Sequence, residues 1–290
     1  MKTIDGLLTP RIESENVTYS ALIEPKDEVV LVLGNENRVE ITEEGITITG
    51  KGKDELDLGQ SYLRQLKLIF VAILPICSFS FYSPRYRYRG FHIDCVRHFV
   101  SVEELKRLID AMSLVGYNYF HWHLTDDQGW RFAVPGYDRL ETISSTRYIY
   151  DNNDQKHVHK GFYSREDLEA IEEFSKERGI TVIPEMGSPG HAEALLSAYP
   201  EFGCTGKEIP VQNNWGVFEN VMNPSSPELW VFLEKAIAEL ASVFHGPFIH
   251  IGGDECPHKQ WEDHQGCRKI MEEYGLKDTN ELQGWFTSKA

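Results

Sequence analysis

The sequence predicts an α/β fold: a parallel sheet covered by helices, preceded by a small α+β module. Three observations predict it. From about residue 86, short apolar runs alternate with segments of helical periodicity, four times in succession. Ionisable residues follow each of the four apolar runs. Residues 1–65 instead alternate short β-rich runs with polar turns, as in "EVVLVLGNENRVEITEEGITITGKGKDEL".

In that first region Val29 to Leu33 and Glu40 to Thr49 read as strands, with "GNEN" and "EEG" as turns. The stretch "LIFVAILPICSFSFY", residues 68–82, is the most apolar of the chain. It falls short of the ~20 residues a membrane span needs and carries Pro75, so it reads as a buried strand or helix. The N-terminal "MKTIDGLLTPRIESENV" has no apolar core of secretory length.

Beyond residue 86, "FHIDC" (91–95) reads as a strand. Ser101 and Glu104 form a capping box ahead of a helix whose apolar face is Val102, Leu105, Leu108, Ile109 and Met112. "YNYFHWHL" (117–124) is a second strand, followed by a long polar loop holding His157 and His159. "SREDLEAIEEFSKERG" is a helix opened by Ser164 and Asp167 and stopped at Gly179. "ITVIPEM" (180–186) is a third strand. A helix capped by Ser226, with Pro227 in its first turn, carries the stripe Leu229, Phe232, Leu233, Ala236 and Leu240. "FIHI" (248–251) is a fourth strand, and a further helix begins near Asp278.

Composition bounds the function. The 290 residues are 41% hydrophobic and 26% charged, which is ordinary for a globular protein. A net charge of −16 disfavours nucleic acid as a partner. Five cysteines without a Cys-x-x-Cys pair suit neither a disulfide framework nor a structural zinc. Together with the N-terminal stretch they point to a cytoplasmic protein that neither crosses nor binds a membrane.

Ligands of parallel α/β sheets sit beyond the C-terminal strand ends. The first strand delivers Asp94, Arg97 and His98 there; the second, His121, His123, Asp126 and Asp127; the third, Glu185 and His191; the fourth, Asp254, Glu255 and His258. Two chemistries could use such a pocket. His121 and His123 share one strand face, as a metal-dependent hydrolase would need. The other is acid–base work on a glycosidic bond. Asp254 and Glu255 are neighbours and diverge in an extended segment, so they are poorly placed to flank one bond. A substrate carrying its own nucleophile, such as a 2-acetamido group, fits that pair. Glu255 is then the acid, and Asp254 orients the acetamido nitrogen.

The segments "RYRGFHIDCVRHF", "NYFHWHLTDDQGWRF", "GFYSREDLEAIEEFSKERGITVIPEMGSPGHAEALLSAYPEF" and "FIHIGGDECPHKQW" resemble the catalytic domain of the family 20 glycoside hydrolases, the β-N-acetylhexosaminidases. The resemblance covers residues 86–286, and residues 38–66 look like the tail of the small α+β domain that precedes the barrel in that family. It implies a small domain over 1–85 and, over 86–290, the first four to five units of a TIM (β/α)8 barrel. It also implies an exo-acting, retaining, substrate-assisted enzyme for N-acetylhexosamine-containing glycans, with no metal or cofactor. By motif, Glu255 and Asp254 are catalytic, Arg97 grips sugar hydroxyls, and Asp126 and His191 lie beside the acid. Asp94, Arg89, His123, Glu185 and Trp261 match family positions with structural roles. Plainer roles are open to the same residues: Arg97 as an ion-pair partner of Asp94 or Asp126, His191 as a helix cap, Asp126 as a turn residue.

Two departures carry expectations. The family has an Asp four residues before the histidine matching His191, where this chain has Gly187. That predicts a looser His191 or a compensating carboxylate, and a faster Gly187→Asp variant. The aromatic walls, a Tyr and an acidic residue that the family draws from later strands are not in this sequence. That predicts a fragment, with two exposed strand edges, which aggregates or needs a partner when made alone. A sugar-binding remnant without catalytic power is the third reading. Oligomeric state is not legible.

Overall fold

A computed structural model describes residues 2–3, 8, 12–13, 17–19, 21–24, 28–71, 73–150, 153 and 155–290; most of the N-terminal stretch read above for a secretory signal lies outside them. The chain divides into two compact units, residues 1–91, 103–120 and 173–181 in one and 92–102, 121–172 and 182–290 in the other.

The first unit begins with short strands β1 (Lys2–Thr3), β2 (Thr18–Tyr19) and β3 (Leu22–Ile23). β4 (Val29–Leu33), β5 (Arg38–Ile41) and β6 (Ile46–Gly50) follow, then helix α1 (Lys53–Phe70), β7 (Leu74–Pro75) and β8 (Cys77–Ser80). The main sheet runs β4–β6–β5–β8, with β4 parallel to β6 and the other pairs antiparallel. Register puts Val39 opposite both Ile48 and Phe79, so one apolar face forms. α1 covers it with Leu58, Tyr62, Leu63 and Leu66, spaced for one helix face. Gly59 permits the approach, because a Cβ there would stand 2.3 Å from Ile48 Cγ2.

The apolar stretch 68–82 is therefore split. Leu68, Ile69 and Val71 end α1 in solvent, and Leu74, Cys77, Phe79 and Phe81 enter the core. Among the described residues no helix is long and apolar enough to cross a membrane.

Strand and helix then alternate: β9 (Gly90–Asp94), α2 (Val102–Leu114), β10 (Tyr119–Asp126), the two-residue β11 (Gly129–Trp130), β12 (Thr146–Tyr150), β13 (Lys156–Lys160), α3 (Arg165–Lys176) and β14 (Thr181–Met186). α4 (Glu193–Ala198), α5 (Pro227–Val243), α6 (Lys259–Asp263), α7 (Gln265–Tyr274) and α8 (Thr279–Lys289) complete the chain. β10 pairs with β9 and β14. Bonds from Asn118 N to Arg89 O and from Cys95 N to His123 O rise together along both chains, so β9 and β10 are parallel. Thr181 N to Asn118 O, with Gly187 N to Thr125 Oγ1, gives the same sense for β14.

Three of the helix signals act as read. Ser164 and Asp167 cap each other's backbone N–H at 3.0 and 3.2 Å, Ser226 Oγ accepts from Leu229 N at 3.3 Å, and Asp278 accepts from Asn280 and Glu281 at α8.

Two expectations are corrected. "FIHI" is not a strand but a single parallel bridge, His250 to Glu185, with His250 N donating to Pro184 O and Met186 N to His250 O, both at 2.9 Å. The loop of His157 and His159 is an antiparallel hairpin of β12 and β13, with Arg147 opposite His159. His159 is half-buried and its Nε2 accepts from Phe99 N at 3.1 Å. Beside it Arg131, fully buried, donates to the carbonyls of Cys95, Val96, Ser145 and Gly161. No carboxylate pairs with it in these bonds; four backbone dipoles stand in, and burial lowers its pKa to about 10. This clamp fixes the turn after β9, where the site begins.

Candidate active site

Asp94 closes the turn after β9. Its Oδ1 accepts from Val96 N at 2.9 Å and Arg97 N at 3.0 Å, and its Oδ2 pairs with Arg97 Nη1 at 2.8 Å. The rest of the Arg97 fork is also engaged: Nη2 meets Asp126 Oδ2 at 2.7 Å and Nε donates to Gln128 Oε1 at 2.8 Å. The guanidinium is thus held in one orientation before any ligand arrives. Trp215 lies over it at 5.8 Å, and its residue is 76% exposed. Gln128 ties that loop down through Asn214 O at 2.9 Å.

Asp126, at the end of β10, is buried. Burial alone would raise its pKa, but bonds from His123 and His191 and the charge of Arg97 hold it well below the usual carboxylate range. Asp127 is also buried and stays raised by burial. Both carboxylates face His191: its Nδ1 stands 3.3 Å from Asp126 Oδ1 and 2.9 Å from Asp127 Oδ2. They push the imidazole up to about 10, so it is cationic at neutral pH. Its other nitrogen, Nε2, faces Asp254 Oδ2 at 3.7 Å and Glu255 Oε2 at 3.5 Å. Four of the five predicted residues therefore meet around one ring, and the fifth, Arg97, joins through Asp126.

The looser histidine expected from Gly187 is not what the structure holds. Asp127 supplies the compensating carboxylate. The sequence places Asp127 among the strand-end residues, but an Asp-Asp pair does not say which member turns toward His191. Gln128 and Trp215 were passed over; nothing in their local sequence marks them as neighbours of Arg97.

The double glycine has a steric reason. Gly252 (φ +74°) and Gly253 (φ +110°) both adopt left-handed backbone, and a Cβ on Gly252 would stand 2.9 Å from Gly187 Cα. Two glycines at the strand ends let these segments touch. Beyond them Glu255 (φ +44°) and, on the neighbouring segment, His191 (φ +51°) hold positive φ without being glycine. Strain of this kind collects at functional positions.

Among the described residues four groups bring possible metal ligands together: His92–His123–Glu185, His121–Glu185–His250, Asp126–Asp127–His191 and His191–Asp254–Glu255. The last two are the site just described. The first two surround Glu185, which the adjacent His121, His123 and His250 hold low against the effect of its burial. Asp126 and Glu185 beside it raise His123 in turn, against the effect of its own burial.

An α/β sheet with exposed paired carboxylates and an anchored histidine at its strand ends presents the groups that acid–base chemistry uses. Residues 86–290 match the model of the glycosyl hydrolase family 20 catalytic domain, and the chain belongs to that family. It is 42% identical over 208 residues to a beta-hexosaminidase of Porphyromonas gingivalis, covering 72% of this chain and 26% of that protein. A beta-hexosaminidase of Akkermansia muciniphila is 35% identical over 256 residues, 87% of this chain and 51% of its own. Among solved structures, a beta-N-acetylhexosaminidase superposes with a TM-score of 0.82 at 30% identity, covering 98% of this chain and 62% of the other. The exo beta-N-acetylglucosaminidase of Vibrio harveyi in complex with N-acetylglucosamine gives 0.77 at 28%, covering 98% and 52%. The chain spans between a quarter and a half of the length of these two curated relatives.

Proposed function

We propose that the chain carries the acid–base half of an exo-β-N-acetylhexosaminidase site. It would act on terminal non-reducing N-acetylhexosamine of glycans and oligosaccharides by a retaining, substrate-assisted route. In this reading residues 86–290 form the first four to five units of a TIM barrel and residues 1–85 a shortened small α+β domain. A cytoplasmic location, with no nucleic acid or membrane partner, belongs to the same reading; the five unpaired cysteines fit it.

The carrying observation is His191, cationic and anchored on Asp126 and Asp127, with its free edge toward both Asp254 and Glu255. Glu255 protonates the glycosidic oxygen and then activates water. Asp254 accepts a hydrogen bond from the acetamido N–H, so that the acetamido carbonyl oxygen attacks the anomeric carbon and closes an oxazolinium ring. The positive His191 stabilises the carboxylate that Glu255 becomes once its proton is given up. Arg97, fixed by Asp94, Asp126 and Gln128, offers its remaining N–H groups to sugar hydroxyls. No step calls on a metal or cofactor.

The test is release of aryl alcohol from an aryl N-acetyl-β-glucosaminide by purified chain beside Glu255→Gln. The reading predicts turnover by the parent and loss in the variant. The same side-chain exposure of Asp254 (71%) and Glu255 (61%) also suits a rival, a binding remnant whose carboxylates stay open to water. It predicts binding of N-acetylglucosamine with no turnover by either protein.

A further inference from the structure

The mechanism leaves unused the ring of imidazoles around Glu185. His92 on β9, His121 and His123 on β10, and His250 beside β14 converge on this one carboxylate, whose residue is 6% exposed. Its Oε1 lies 3.0 Å from His123 Nδ1 and 3.5 Å from His250 Nδ1. Its Oε2 lies 2.6 Å from His121 Nε2 and 3.8 Å from His92 Nε2.

Two of these approaches are not hydrogen bonds. His121 Nε2 and His123 Nδ1 are buried and have no partner in hydrogen-bonding geometry, despite their nearness to carboxylate oxygen. His123 is the more telling, being 8% exposed. Its Nε2 stands 2.9 Å from Asp126 Oδ2, which as an ionised carboxylate only accepts, and 3.4 Å from Arg97 Nη1, which only donates; the shorter contact places the ring N–H toward Asp126. In the neutral ring Nδ1 then turns a lone pair toward a carboxylate oxygen. Something positive belongs between them. A histidine that hands its N–H to a carboxylate behind it and turns its bare nitrogen inward is the usual posture of a metal ligand.

Metal–nitrogen and metal–oxygen bonds of about 2.0–2.2 Å put two tetrahedral ligand atoms roughly 3.3–3.6 Å apart. His123 Nδ1 lies 3.0 Å from Glu185 Oε1 and His92 Nε2 3.8 Å from Oε2, one inside and one outside that spacing, so an ion between them draws the His92 ring in and eases the His123 ring back. Imidazole with one carboxylate selects zinc, nickel or copper over magnesium or calcium, which prefer all-oxygen shells.

We propose that Glu185, His123 Nδ1 and His92 Nε2 bind one divalent transition-metal ion, which ties β9, β10 and β14 together and takes no part in bond cleavage. The competing occupant is a proton, which would make His123 an imidazolium. The ion adjoins the sugar site through His123, whose Nε2 faces Asp126 at 2.9 Å and Arg97 Nη1 at 3.4 Å, so its role is positioning.

The test is calorimetric titration of the chelator-stripped, dialysed full chain with zinc chloride alone, and with magnesium chloride alone. One zinc per chain is expected, magnesium giving no saturable heat, and zinc should raise the melting temperature. His92→Ala removes a half-exposed ring and should weaken zinc at least about tenfold. His250→Ala should bind as the parent does. Absence of saturable zinc binding overturns the proposal in favour of the proton. Unchanged affinity in His92→Ala, or loss in His250→Ala alone, overturns the ligand assignment. Should His92→Ala melt lower without metal, His92→Gln reads the same ligand loss with less change in volume.

Discussion

Asp126 and Asp127 are 3% and 1% exposed, whereas the side chains of Asp254 and Glu255 are 71% and 61% exposed. The buried two are already matched by Arg97, His123 and His191. The exposed two face one histidine edge at 3.5–3.7 Å and otherwise face water. In the proposed mechanism the buried pair positions His191 before a ligand arrives and the exposed pair is left for the ligand to complete, so burial rather than residue type would separate positioning from chemistry.

The comparison breaks if the exposed pair can be altered without consequence. Glu255→Gln should lower kcat on an aryl N-acetyl-β-glucosaminide by about 10²-fold or more, with a small change in KM. Asp254→Asn should lower it by a similar order, about 10²-fold, since a polarised acetamido group is needed only as the ring closes. A loss below threefold in either would put both groups outside the chemistry.

A smaller effect belongs to the buried set. Asp127→Asn removes the 2.9 Å anchor of His191 and should cost about 10-fold in kcat through misorientation of the ring. The pH profile should shift with it, because His191 loses part of what pushes it up to about 10. An unchanged profile would make Asp127 merely structural. Gly187→Asp should give no gain. Asp127 already fills the role, and the new Cβ would press on Thr125 O at 3.3 Å. A rise in turnover would restore the looser histidine.

The pH dependence of stability gives the mildest test. His191 has its folded pKa raised to about 10 from an ordinary 6.5. Its contribution is therefore full below about pH 6.5 and fades as pH rises through about 10. Asp126 is depressed, so its contribution is present above the ordinary carboxylate range and fades on acidification below it. Thermal melts should accordingly be highest between the ordinary carboxylate range and about pH 6.5 and fall on both sides. In His191→Gln the alkaline fall should shrink.

Much of this was legible in the sequence, for local reasons. Ser164–Asp167, Ser226 and Asp278 mark helix starts by bonds that span three residues, and β10 and β14 are apolar enough to stand out. "FIHI" reads the same way, yet His250 makes only one bridge, because strand formation depends on a neighbour that local sequence does not report. The hairpin of β12 and β13 was hidden by its charge: Arg147, Lys156 and Lys160 give no apolar alternation, and the pairing rests on backbone register. In the site, the carboxylates and His191 were readable as strand-end residues. Which of Asp126 and Asp127 holds His191, and that Trp215 covers Arg97, depend on turns whose direction only three-dimensional packing sets.

Comparing two aryl glycosides alike except at the second carbon, one with acetamido and one with hydroxyl, tests the nucleophile itself. The purified chain should cleave the acetamido compound at least about 10²-fold faster in kcat/KM, because only that sugar carries an N–H for Asp254 to hold and an oxygen of its own to attack the anomeric carbon. Equal rates on the two would contradict the account.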